Sequence, residues 1–256
     1  MSNPSSYVIL GRGRWARRMN AILADEGRSV AAIEETRQRP NELELSYVAR
    51  MAEAMKKSGA QVAWLCVLAG PHVSLMIEAA LEAGLHVVAE KPWFGTPEDT
   101  LRLQQLAQAK TRTLAVHFEY LMLDEVEQWR RAHHPGAALR FGGNFFLARP
   151  DPTNTPALDN LGSHLLAIRE YVCPAATIAQ IHCAYERPDE RVVWLEKNGD
   201  MLSAINLLTH RQPIIQRFIQ KVEAALNGGA TFPFDLDFAL RVANAVKACK
   251  AHEAKS

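Results

Sequence analysis

Residues 7–25, YVILGRGRWARRMNAILAD, decide how the rest of the chain is read. Residues 7–10 form a short apolar run of strand type and Gly11-Arg12-Gly13 a glycine-bearing turn. From residue 15 to 25 the apolar residues Met19, Ile22 and Leu23 recur at helical spacing. The spacing Gly11-x-Gly13-x-x-Ala16 is that of a dinucleotide-binding turn with alanine in the third position. The first glycine permits a tight turn, the second lets a pyrophosphate approach the backbone, and the small third residue lets helix and strand pack closely. The N-terminus of the helix then offers free N–H groups to phosphate oxygens. Glu34, about 20 residues on and at the end of a second strand at 29–33, is placed to accept from a ribose hydroxyl. A glycine turn joining any strand to any helix is the plain alternative, and the strand before, the helix after and the acid beyond argue against it.

Working outward, the alternation continues. A helix is expected at 45–57, a strand at 61–68, a helix at 72–83 closed by Gly84, a strand at 85–89, a helix at 96–109 and a strand at 113–118. Strands alternating with helices of this length predict an α/β fold, because each parallel crossover needs a helix and both sheet faces are then covered. From residue 138 the pattern changes to longer strands, at 139–148, 177–185, 191–196 and 201–208, the last two joined through Asn198-Gly199, a strong hairpin signal. This half predicts a smaller α+β domain with an open, mainly antiparallel sheet, accompanied by helices at 158–172, 213–226 and 234–252. The expected division is a doubly wound parallel-sheet domain at 1–118 and a substrate and oligomerisation domain at 119–256, whose final helix packs back on the first. The chain carries no internal repeat and no low-complexity linker.

Composition excludes several function classes. Twenty-nine Lys and Arg nearly cancel 28 Asp and Glu, so no global field exists to hold a polyanion, and nucleic acid is not an expected partner. Arg17 and Arg18 are read as a solvated helix face. No apolar stretch reaches the roughly 18 residues of a membrane span, and the start MSNPSS lacks the apolar core of a secretion signal, so a cytoplasmic protein is expected. Cys66, Cys173, Cys183 and Cys249 are scattered without C-x-x-C or paired histidines, which predicts reduced thiols and no metal site.

The segment Ala80-Leu-Glu-Ala-Gly84, His86-Val87 and Glu90-Lys91-Pro92 resembles the corresponding stretch of the Gfo/Idh/MocA oxidoreductases. The likeness includes the glycine fingerprint, Leu158-Asp-Asn-Leu-Gly-Ser-His164, residues 218–226 (FIQKVEAAL) and residues 237–241 (DFALR). It implies a Rossmann domain followed by an α/β domain whose open sheet serves assembly, and hydride transfer between NAD or NADP and a sugar-like hydroxyl or carbonyl carbon. It also implies that Lys91 sits beside nicotinamide and substrate, where an ammonium stabilises alkoxide character, and that Lys91–Pro92 adopts a cis peptide. His164 matches the histidine that trades a proton with the substrate oxygen, a role suited to imidazole near neutral pH. Without the resemblance, Lys91 reads as a surface lysine after a strand and His164 as a packed helix residue.

Cofactor contacts are therefore expected from Gly11, Gly13, Arg14, Trp15, Ala16, Glu34 and Arg37, and from Leu68, His72, Glu90 and Lys91 at the ends of later strands. Glu34 repels a 2′-phosphate and favours NAD, whereas Arg12 and Arg37 lie where that phosphate could be paired, so NADP stays open. His117, Glu119, Tyr120 and Arg149 are candidate substrate contacts, each with a plain alternative as a loop residue. The sequence departs from the family where its aspartate four residues before the histidine becomes Asn160, a neutral amide on the expected helix face of His164. Asp159 is adjacent and is the alternative substitute for that aspartate, although on an α-helix it points about 100° away. The family's Thr-Pro after the third strand is replaced by Leu68-Ala-Gly-Pro-His72, and the second domain is short. These readings converge on an NAD(P)-dependent oxidoreductase of a small polar carbonyl, imine or secondary alcohol, with Lys91, His164 and Asn160 at the chemistry. The alternative is an NAD(P)-binding protein with reduced turnover acting as a sensor, scaffold or partner subunit. A homodimer or homotetramer is expected through an outer sheet face formed by Val193, Leu195, Ile205 and Leu207.

Overall fold

The computed structural model describes residues 5–132, 138–150, 155–208, 213–228 and 232–253. The chain divides into two units, residues 1–117 with 219–240 and residues 118–218 with 241–256.

The first unit is built on a parallel sheet of order β2-β1-β3-β4-β5, comprising β1 (Tyr7–Leu10), β2 (Val30–Ile33), β3 (Val62–Leu65), β4 (His86–Glu90) and β5 (Leu114–His117). The connections are α1 (Arg14–Asp25), α2 (Glu44–Lys57), α3 (His72–Glu82) and α4 (Pro97–Ala109). Every residue of β1 and β3 is buried, as helices on both faces of a parallel sheet require. β1 pairs with β2 on one side and β3 on the other, so the strand order reverses there, and ligands of such sheets bind outside the carboxyl ends at that reversal. Local chemistry sets the helix ends. Thr96 caps α4 by accepting from the Asp99 N–H at 3.1 Å, with Pro97 in the first turn, and Gly84 closes the α3 turn at φ +80°. Later residues complete the unit: Glu223 accepts from Tyr7 Oη at 3.0 Å and from Arg28 at 2.9 Å, and the Val116 N–H donates to the Phe234 carbonyl at 2.7 Å.

The second unit begins with a 3-10 turn, Glu119–Met122, and α5 (Asp124–Ala132), neither of which the sequence reading anticipated. Its sheet has the order β7-β6-β8-β9, from β6 (Arg140–Leu147), β7 (Thr177–Tyr185), β8 (Glu190–Lys197) and β9 (Asp200–Asn206). β8 and β9 form the expected hairpin, with Asn198 and Gly199 both at positive φ (54° and 90°), as a primed turn requires. β6 and β7 pair in parallel, because a helical crossover joins them, so the sheet is mixed rather than a pure meander. That crossover is a π turn, Leu158–Gly162, running into α6 (Ser163–Val172). Two further helices, α7 (Ile214–Gly228) and α8 (Leu236–Glu253), each run across the division between the units.

The sidedness of the second sheet corrects one expectation. Val193, Leu195, Ile205 and Leu207 are buried inside the single chain, at 0 to 4% exposure, so they do not form an open face. Gly143 lies in the same row, and a Cβ built there would meet Leu165 of α6 at 3.1 Å and Val193 at 3.3 Å, so α6 is what covers this side. The alternate set, including Val192 and Trp194, is only partly buried, with the Trp194 ring lying over Gly142, where a Cβ would approach it to 2.3 Å.

His86, at the start of β4, accepts from the Thr113 N–H through Nδ1 at 2.9 Å. Burial, with Arg112 nearby, pushes its pKa down to about 4. A histidine held neutral when folded but protonated at an ordinary pKa when unfolded leaves stability flat above about pH 6.5 and lowers it as pH falls towards 4. The thermal midpoint of the protein is accordingly expected to drop between pH 7 and pH 5. His86→Gln should flatten that drop, and an unchanged pH dependence in the variant would refute the assignment.

Candidate active site

The carboxyl edge of the first sheet gathers most of the residues singled out in the sequence. Gly11 has φ +119°, and a Cβ there would fall 2.5 Å from the Cys66 carbonyl oxygen, so no other residue fits the close approach of the β1 and β3 ends. Gly13, the N-cap of α1, is different: it has an ordinary backbone conformation, and a Cβ there would meet no protein atom within 4 Å. The fold itself does not need glycine at 13, whereas a phosphate approaching the backbone does. Gly13 offers α1 no side-chain cap and the first turn of the helix carries no acid, so its N-terminal N–H groups suit an anion, and Ala16 is buried where α1 meets the sheet. These features fit a dinucleotide pyrophosphate. Arg14 is exposed beside them, and Glu34 and Arg37 are exposed beyond the end of β2. The loop carrying them is held from α2, where Tyr47 Oη donates to the Thr36 carbonyl at 2.7 Å and Arg50 to the Arg37 carbonyl at 3.0 Å.

Past β3, Leu68 is exposed and the His72 ring donates to its carbonyl. Burial pushes the His72 pKa below its ordinary value despite that bond, which keeps the ring neutral. The ring also sits over Gly70, where a Cβ would be 3.0 Å away, so His72 braces its own loop and does not cap α3.

At the end of β4 the Glu90 carboxylate accepts from Trp15 Nε1 at 2.6 Å and Trp64 Nε1 at 2.9 Å, and lies 3.0 Å from His117 Nδ1. Burial alone would push this carboxyl up. The charge and hydrogen bond of His117, with the two indole bonds, outweigh it and hold the pKa below the ordinary carboxylate value. No local pattern marks this cluster, since Trp15, Trp64 and His117 lie 75, 26 and 27 residues from Glu90 along the chain. His117, read in the sequence as a substrate contact, is fully buried, stacked on Trp15 at 5.9 Å and edge-on to Trp64 at 5.2 Å. Lys91 follows Glu90 directly, is half-buried, and is joined to Pro92 by a cis peptide.

The second unit collects a different set. His164, at the start of α6, is 7% exposed, with the Tyr120 ring edge-on at 5.0 Å and Phe145 tilted at 5.3 Å. Glu119 Oε2 lies 3.8 Å from His164 Nδ1. Tyr120 Oη accepts from Arg191 Nη1 at 2.8 Å. Asn160 donates through Nδ2 to Tyr185 Oη on β7 at 2.7 Å, and Asp159 pairs with Lys250 of α8 at 2.5 Å. Asp159 therefore does not stand in for the family's aspartate. Arg149, just past β6, is exposed. No group of three or more potential metal ligands occurs among the described residues. No helix among them is long and apolar enough to cross a membrane.

The two glycines make opposite demands, which mutation can separate. Gly11→Ala is expected to destabilise the protein by about 3 kcal/mol, through strain at positive φ and the clash with Cys66. Gly13→Ala should change stability by under about 1 kcal/mol. It should weaken NADH binding by roughly tenfold or more, since it removes close phosphate approach. Thermal denaturation with calorimetric titration of NADH checks both, and unchanged NADH affinity in Gly13→Ala would count against the cofactor assignment.

Comparison with known proteins agrees with this geometry. Residues 6–118 match the family model described as "Oxidoreductase family, NAD-binding Rossmann fold", GFO_IDH_MocA. No curated protein sequence matches the chain. Among solved structures, the fold resembles UDP-N-acetylglucosamine 3-dehydrogenase from Acidithiobacillus ferrooxidans, with TM-score 0.72 and 15% identity over 95% of this chain and 96% of that one. A 3-ketoreductase from Actinomadura kijaniata, crystallised with TDP-benzene and NADP, matches with TM-score 0.69 and 18% identity, over 96% of each chain. GenD2 from gentamicin A biosynthesis, in complex with NAD, matches with TM-score 0.73 and 13% identity, over 97% of this chain and 93% of that one. At these identities the likeness is one of fold, and the matched segment, residues 6–118, is similar to the NAD-binding Rossmann domain of the Gfo/Idh/MocA oxidoreductases.

Proposed function

We propose that the protein is an NAD(P)-dependent oxidoreductase that moves a hydride between nicotinamide and a small polar carbonyl, imine or secondary alcohol. The observation that carries this reading is Gly13, a glycine the fold does not require, at an uncapped helix start beside the strand-order reversal. Bound nicotinamide supplies or accepts the hydride. The chain's own residues do the rest. Lys91, fixed next to the anchored Glu90, hydrogen-bonds the reacting oxygen through Nζ and stabilises the negative charge that grows on it. His164 gives that oxygen a proton in reduction and takes it back in oxidation. The solved structures of similar fold include a UDP-N-acetylglucosamine dehydrogenase and a ketoreductase, so keto sugars and nucleotide sugars head the panel of substrates to try.

Asn160 in place of the family's aspartate favours one second reading, a cofactor-binding protein with little turnover that serves as sensor, scaffold or partner subunit. Tight NADH binding without oxidation across a broad carbonyl panel would select it.

Cofactor preference follows from Glu34, exposed at the end of β2. Its carboxylate suits a ribose diol and repels a 2′-phosphate. NAD(H) is expected to bind more tightly than NADP(H), with Glu34→Ala narrowing the gap, and tighter NADPH binding to the unmutated protein in calorimetry would reverse the assignment. For the chemistry, His164→Ala should slow reduction by about 10² to 10⁴ while NADH affinity stays nearly constant. Lys91→Ala should cost a comparable factor. If both variants keep the rate within about twofold on the true substrate, neither group supplies the several kcal/mol asked of it and the mechanism falls.

A further inference from the structure

His164 is surrounded by groups whose assignments differ from the pattern of the family it resembles. On its own stretch, Asp159 is neutralised by Lys250 and Asn160 is a neutral amide bonded to Tyr185 of β7. From β8, Arg191 donates to Tyr120 Oη and places its guanidinium 5.1 Å from the centre of the Phe145 ring, which itself lies 5.3 Å from His164. From β7, Cys183 lies under Gly162, 3.4 Å from where a Cβ would stand. From the 3-10 turn come Tyr120, edge-on to the imidazole, and Glu119, whose Oε2 is 3.8 Å from Nδ1. Both members of that last pair are largely withdrawn from water, their side chains 7% and 15% exposed.

We propose that Glu119 is the positioning carboxylate of His164, performing from the turn after β5 the task that Asn160 cannot perform from the helix. The proposal rests on the reading of His164 as the proton donor and extends it to how that proton is held. A carboxylate facing Nδ1 fixes which ring nitrogen points at it and leaves Nε2, on the opposite side of the ring, for exchange with substrate. At 3.8 Å the contact is a charge pairing rather than a hydrogen bond, so its main effect is to favour the imidazolium over neutral imidazole. The Tyr120 and Phe145 rings limit rotation of the imidazole, and Arg191 in turn holds Tyr120. Glu119 does not itself touch the reacting atoms in this scheme.

The test is a titration of the His164 imidazole by NMR in the full chain, the resonance being assigned by its loss in His164→Gln. Glu119→Gln is expected to move the His164 midpoint down by on the order of one pH unit, as loss of an opposite charge within 4–6 Å does. Glu119→Asp should retain most of the original value. Glu119→Ala must shift it in the same direction, which keeps the test open should one variant fold poorly. The fall in reduction rate with rising pH should move to lower pH by a similar amount, since the donor form is lost earlier. A midpoint that moves by less than about half a unit in both Glu119→Gln and Glu119→Ala overturns the proposal. So does an equal shift in Asn160→Ala, which removes no charge. Should His164→Ala leave reduction intact, the functional reading fails while the titration still reports on the pair. Should the titration stay put while His164→Ala abolishes reduction, the role of Glu119 fails alone.

Discussion

The Glu90 carboxylate is the contact on which the first unit's carboxyl edge depends. A buried ionised carboxyl is costly unless it is paired and hydrogen-bonded, and here it is both. Trp15 reaches it from the start of α1, Trp64 from β3 and His117 from the end of β5, so one side chain ties the glycine turn to the neighbouring strands. The indole and imidazole rings also pack on one another, which excludes water from the pair and strengthens each bond. The consequence reaches both neighbours of the cluster along the chain. Arg14 and Gly13 precede Trp15, and Lys91 follows Glu90, so the phosphate-facing turn and the proposed oxygen-binding lysine are positioned from a single anchored carboxylate.

This arrangement explains why a strand-end glutamate can be structural and functional at once. Removing the carboxyl group would leave two indole N–H groups and an imidazole without their acceptor, and buried donors left unsatisfied cost more than the bond itself contributes. His117 shares that fate. A histidine at the end of a parallel strand invites a substrate-binding role, because ligands gather there. Its complete burial and its place on Glu90 make it a member of the support beneath the cofactor turn.

Much of the fold was legible because its signals are local. The glycine fingerprint, the Thr96-Pro97 helix start and the Asn198-Gly199 hairpin each follow from the backbone geometry those residues permit. What was missed needed information that no local pattern carries. In α5 only Val126 and Trp129 are buried among nine residues, too few to show a period, although acids in its first turn and arginines in its last complement the helix dipole and could have marked it. In β8 both alternating rows hold large apolar residues, Val192 and Trp194 against Val193 and Leu195, so a two-residue period cannot say which row faces α6. The parallel pairing of β6 with β7 was implicit in the helix between them, since a strand returning through a helical crossover runs parallel to its partner.

The partner of His164 does not follow from helical spacing, and the reason lies in the backbone. Reading Asn160 as its partner assumes a regular α-helix, in which residues four apart share a face. The chain instead makes a π turn over Leu158–Gly162 before the α-helix resumes at Ser163. The wider turn changes which side chains line up with those of the following helix, and π turns recur at functional sites for that reason. Asn160 is drawn to Tyr185 on the sheet and Asp159 to Lys250 on α8, so the acid and the amide flanking the expected position are both committed elsewhere. A carboxylate for the imidazole then has to come from another element. The turn after β5, unrecognised in the sequence because it is a four-residue 3-10 segment, brings Glu119 to that distance. An altered helix register and a compensating acid on a short turn are thus two sides of one change, visible only once the backbone path is known.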